Sequence, residues 1–86
     1  MKITRNAEII FDIMDDLYIL FDPYGGNLFE LNEITKDIWE LIEIPCDINE
    51  LKLKLCEIYE VSSEKLEKDI DILVHNMLSE GVITTI

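Results

Sequence analysis

The hydrophobic pattern of the chain changes period at Asn32. That change restricts the fold to those in which sheet and helices occupy separate parts of the sequence. Before it, runs rich in β-branched and aromatic residues alternate with turn signals. Ile9-Ile10-Phe11-Asp12-Ile13 predicts a strand and Met14-Asp15-Asp16 a turn. Leu17 to Asp22 predicts a second strand, closed by Pro23-Tyr24-Gly25-Gly26, where glycine reaches positive φ without strain. Asn27 to Leu31 predicts a third. Two short connections make an antiparallel meander, and a sheet this small needs a second layer over its apolar face.

After Asn32 the apolar residues recur at helical spacing. Asn32 and Thr35 are both cap candidates for a first helix carrying Ile34, Ile38, Trp39, Leu41 and Ile42, which Pro45 stops. Asp47, with Glu50 three residues on, reads as the capping box of a second helix, whose stripe is Ile48, Leu51, Leu55, Ile58 and Tyr59. Ser62 or Ser63 caps a third helix that runs to about Ser79, and Gly81 sits where the chain should leave it. Val82 to Ile86 predicts a short extended tail. On the third helix Leu66, Ile70, Leu73, Val74, Met77 and Leu78 share one arc at about 100° per residue, the predicted core side. Lys65, Asp69, Ile72 and Asn76 fall on a flank beside it. Ile72 is the odd member, although single exposed aliphatics are common and usually have no partner.

Length and charge narrow the function. Eighty-six residues, 49% hydrophobic and 30% charged, predict one folded domain over residues 1–86 with a modest core. No signal-peptide pattern is present, and no apolar run approaches the ~20 residues that span a bilayer, so a cytoplasmic protein without membrane contact is expected. Cys46 and Cys56 are too few for a disulfide framework, and with His75 distant they form no local metal-ligand cluster; no cofactor is expected. Nineteen acidic against seven basic residues give a net charge of −12, a field that repels phosphate backbones.

Taken together, Leu31-Asn32-Glu33-Ile34-Thr35, then Ile38-Trp39-Glu40-Leu41, resemble the PqqD family. So do Ile48 to Val61 with Leu51 and Tyr59, Ser62-Ser63, and the ending Met77-Leu78-Ser79-Glu80-Gly81-Val82-Ile83. The resemblance covers roughly residues 9 to 84, although Leu31, Ile38 and Trp39 would be core, and Asn32 a cap, in any protein of this shape. It implies an α+β, winged-helix-like fold in which a three-stranded antiparallel sheet is followed by three helices. It also implies no catalytic activity. PqqD-like domains, also called RiPP recognition elements, bind the leader of a ribosomally made precursor peptide as an added strand. They present it to a maturation enzyme such as a radical SAM protein, a cyclase or a leader peptidase. By position, the resemblance implies docking on the edge Asn27, Leu28, Phe29, Glu30 and Leu31, with leader side chains entering a groove against the third helix at Lys65, Asp69, Ile72 and Asn76.

An extended peptide satisfies an open strand edge whatever its sequence, so specificity must come from alternate side chains. Either Phe29 and Leu31 or Leu28 and Glu30 point to the core. An aliphatic anchor fully buried beside Ile72 would contribute about 1.5–3 kcal/mol. Lys65 and Lys68 suit leader carboxylates, and Asp69 or Glu30 leader cations, at about 0–1 kcal/mol per exposed pair. The same open edge would accommodate a homodimer by strand exchange.

Three other readings are weaker. An acyl carrier protein needs an Asp before its attachment serine, which Ser62, Ser63 and Ser79 lack, and is all-helical. A winged-helix DNA-binding regulator would place cations on its recognition helix, but here Lys65, Lys68 and Asn76 stand among Glu64, Glu67, Asp69 and Asp71. For an enzyme, nothing pairs a nucleophile with a base, and His75 reads most simply as a surface residue.

Overall fold

The structure, a computed structural model, describes residues 1–60 and 63–86. Its strands and helices follow in the order β1 (Lys2–Arg5), β2 (Ile10–Met14), β3 (Leu17–Asp22), β4 (Asn27–Leu31), α1 (Glu33–Leu41), β5 (Cys46–Asp47), α2 (Ile48–Tyr59), α3 (Ser63–Glu80) and β6 (Ile83–Thr85). The predicted meander is the antiparallel sheet β2-β3-β4. Its first turn places Asp15 and Asp16 at φ 50 and 66, a two-residue connection with both residues left-handed, as tight hairpins require. At the second, Gly26 has φ +72 and donates to the Asp22 carbonyl at 2.8 Å, while the Asp22 carboxylate accepts from the Tyr24 amide at 2.9 Å.

A second antiparallel sheet, β5-β1-β6, was not expected. Lys-Ile-Thr-Arg offers one apolar residue and no local partner, so nothing in its own composition marks a strand. It forms because Ile3, fully buried, pairs with Thr85 on one side and Cys46 on the other. The predicted tail is thus the strand β6, held through Arg5↔Ile83 and Thr4↔Thr84.

Helix boundaries follow their caps. Asn32 is the N-cap of α1: its side chain accepts from the Thr35 amide at 3.0 Å and from the Thr35 hydroxyl at 2.8 Å. The helix ends at Leu41, short of Pro45. Asp47 caps α2 by accepting from the Asn49 amide at 2.9 Å, but the expected box does not close, because Glu50 faces Lys54 one turn on. Of the predicted α2 stripe, Leu51 and Leu55 are buried and Ile48 and Tyr59 half-buried, whereas Ile58 is exposed. Ser62 lies outside the described residues, and with it the N-cap expected for α3. The end of α3 is a Schellman motif: Val82 donates to the Met77 carbonyl and Gly81, at φ +78, to that of Leu78, each at 3.1 Å. Val82 and Met77 are themselves buried, as that motif's apolar contact requires.

Trp39 joins the two sheets. It is 2% exposed, with Phe11 of β2 edge-on at 6.4 Å and the Arg5 guanidinium 4.8 Å from its ring centroid. Arg5 also donates from Nε to the Trp39 carbonyl at 2.7 Å. Between α2 and α3, Lys52 reaches Asp71 at 2.8 Å. At the end of α2 the Tyr59 hydroxyl donates to Asp37 of α1 at 2.5 Å. Burial, and then the Asp37 carboxylate, push the Tyr59 phenol far above its ordinary range.

Removing the α1 cap should cost about 0.5–2 kcal/mol, so Asn32→Ala should lower the urea midpoint while Asn32→Asp retains most of it. Tyr59 adds a pH signature. Because its folded pKa is raised, the unfolded chain loses the phenolic proton first, and stability falls as pH rises above about 10. In urea titrations at increasing pH, Tyr59→Phe should show a shallower alkaline decline than the parent chain.

Candidate peptide-binding edge and groove

Strand β4 lies at the edge of its sheet, paired to β3 from Tyr18↔Leu31 to Asp22↔Asn27. Among the described residues no strand pairs with its other side. The tail, the nearest candidate to cover it, pairs with β1 in the second sheet instead.

The pleat settles which residues face the core. Leu31 is buried and Phe29 half-buried against it, beside Leu20 of β3, whereas Leu28 is 68% exposed and Glu30 exposed. The core-facing side of β4 meets α3 across a groove of about 250 Å³, lined on the strand by Phe29, Glu30 and Leu31 and on the helix by Leu73, Asn76, Met77 and Glu80. A second depression of about 230 Å³ continues along α3, between Asp69, Ile72 and Leu73 and the first turn of α1 at Ile34. Leu73 lines both, so the two form one interrupted trough.

Of the sequence-predicted residues, Phe29, Glu30, Leu31 and Asn76 meet in the first depression, and Asp69 and Ile72 lie in the second. Asn27, Leu28, Lys65 and Lys68 are exposed but line neither. Leu73 was assigned to the core by periodicity alone. It is half-buried and forms the trough floor, because residues at the boundary of a helix's apolar arc can serve core and groove together. Ile34 and Glu80 were also missed. Ile34 reads as one more residue of the α1 stripe, and Glu80 lies one helical turn beyond Asn76 and Met77 on the same face of α3.

On the helix side the charged residues of the trough are Asp69 and Glu80, which favour cations on a bound peptide beside an apolar floor, while Glu30 lines the strand side at the rim, its side chain turned outward by the pleat. Among the described residues no group of three or more His, Cys, Asp or Glu is placed to hold a metal ion, and no helix is long and apolar enough to cross a membrane. Cys46 is buried, and burial pushes its thiol pKa up.

Comparison with known proteins bears on the family and the fold. The family model described as coenzyme PQQ synthesis protein D (PqqD) matches residues 18–83. Among solved structures, TbiB1 in complex with the TbiA(beta) leader peptide superposes with a TM-score of 0.83 at 19% identity, over 96% of each chain. No curated protein matches the chain.

The phase of α3 is directly testable. Ile70 is fully buried and Ile72 is 60% exposed, two residues apart on the same helix. Ile70→Ala should cost about 2–5 kcal/mol in urea unfolding, and Ile72→Ala should stay within about 0.5 kcal/mol of the parent chain.

Proposed function

The chain belongs to the PqqD family, and from that premise we propose that it is a non-catalytic domain that binds the leader of a ribosomally synthesised precursor peptide. It presents that leader to a modifying enzyme or leader peptidase. The observation that carries this reading is the open β4 edge lying beside an apolar trough on α3. TbiB1, of the same fold, is solved in complex with a leader peptide, which supports the same mode of binding here.

In that mode the leader adds as a strand along Asn27 to Leu31. Its backbone satisfies the amides and carbonyls that β3 leaves open, with little dependence on sequence. Alternate leader side chains then fall on the helix side of the sheet, where Phe29, Leu73 and Ile72 offer apolar contact and Asn76 a polar one. Asp69 and Glu80 select against leader carboxylates at those positions. Lys65 and Lys68, exposed on α3 outside the trough, receive leader carboxylates further along the strand. Binding rests on the apolar anchors, because each exposed ion pair contributes only about 0–1 kcal/mol.

The enzyme served is a radical SAM protein, a cyclase or a leader peptidase, and the domain supplies recognition without taking part in the chemistry. In calorimetry with a precursor leader peptide that binds the parent chain, Ile72→Asp should lower affinity roughly tenfold to a hundredfold, corresponding to about 1.5–3 kcal/mol of lost burial. Unchanged affinity in a folded variant would show that the anchor lies elsewhere.

A further inference from the structure

The two depressions of the trough differ in chemistry. The one beside β4 has an apolar floor of Phe29, Leu31, Leu73 and Met77, with Asn76 and Glu80 on its helix side. The other has three aliphatic residues, Ile34, Ile72 and Leu73, and a single carboxylate, Asp69. Among the described residues the side chains of Asn76 and Glu80 make no hydrogen bond or ion pair within the chain.

The structure of α3 gives Glu80 no reason to be acidic. It is the last residue of the helix, where the macrodipole disfavours a carboxylate and favours Lys or Arg, and the last turn holds no basic residue to offset it. An unpaired carboxylate beside an apolar floor suits a long basic side chain from a bound peptide. The stem of such a side chain lies on Phe29, Leu73 and Met77 while its charged head reaches Glu80 and Asn76 at the open end. The second depression, walled by aliphatic residues, suits Leu, Ile, Val or Met.

Their separation fixes how the two peptide residues are spaced. The helix linings are centred about five residues apart on α3, roughly 7–8 Å at the helical rise. One step between same-face residues of a strand covers about 6.5–7 Å, so residues i and i+2 of an added strand reach both depressions. Order follows from direction. β4 runs towards α1, whose first turn supplies Ile34, so the aliphatic depression lies past the carboxy-terminal end of β4. Both ladders of this sheet are antiparallel, and an antiparallel strand added to β4 passes the aliphatic depression first.

We propose that the trough selects leaders carrying an aliphatic residue followed two positions later by Lys or Arg, with Ile34 and Ile72 holding the first side chain and Glu80 the second. This rests on the leader-binding reading and adds to it the sequence that is selected.

The test pans a phage-displayed library of random dodecapeptides on the immobilised full chain and, in parallel, on Glu80→Lys and Ile72→Asp. Glu80→Lys replaces an exposed residue with one the helix end favours, so it should raise the urea midpoint while changing the peptides selected. The parent chain should enrich the aliphatic-x-Lys/Arg pattern. Glu80→Lys should keep the aliphatic position and replace the basic residue with Asp or Glu, and Ile72→Asp should lose the aliphatic preference. In a synthetic copy of a selected peptide, exchange of the basic residue for Glu should weaken binding to the parent about threefold to tenfold and be reversed by Glu80→Lys. Peptides that protect the β4 amides from exchange but carry the basic residue at another spacing, in the reverse order or not at all would overturn the proposal and leave the leader-binding reading standing. The same peptides selected by parent and Glu80→Lys would do likewise. A parent chain that enriches no peptide protecting β4 would overturn the leader-binding reading together with the proposal.

Discussion

The pleat of β4 is the constraint on which the rest of the structure depends. With Leu31 buried and Phe29 packed on the core, Leu28 and Glu30 have no choice of direction, because neighbouring residues of a strand point to opposite faces. A slip of one residue would bury Glu30 and expose Leu31, at a cost no modest core could absorb. Asn32 follows Leu31 directly as the α1 cap, so strand and helix are joined without a loop to relax the angle between them. The trough against α3 inherits its position from that junction.

Two sheets divide the work. The β5-β1-β6 sheet ties the two ends of the chain together and draws β6 away from β4, which leaves β4 unpaired on its outer side among the described residues. Trp39 and Arg5 link this sheet to the meander through one buried ring and one hydrogen-bonded guanidinium. An exposed edge ordinarily invites aggregation. Here it is five residues long and carries Glu30, and the surrounding charge is strongly negative, all of which discourage pairing with a second copy.

Much of this was legible in the residues. The three-stranded meander, its two turns, the caps Asn32 and Asp47, and the exit at Gly81 each carry a local signal that survives without tertiary context. Ile72 was separable from Ile70 by helical phase alone. What stayed hidden was set by long-range pairing. Lys2–Arg5 becomes a strand only through residues more than forty positions away, and Ile34 and Glu80 join the trough only through the packing of α3 against α1 and β4. Leu73 packs against the core as its periodicity predicted, but its second role was hidden, because periodicity separates buried from exposed arcs and says nothing of which boundary residue lines a groove. The step between the two depressions could be read only after the packing of α3 was known.

The central claim is that a leader peptide completes the β4 edge. Amide hydrogen exchange, followed residue by residue with and without the leader, tests it most directly. Strand addition predicts new protection at alternate amides between Asn27 and Leu31, with no comparable change in β1, β5 or β6. Leader binding that leaves every β4 amide exchanging at its free rate would contradict it.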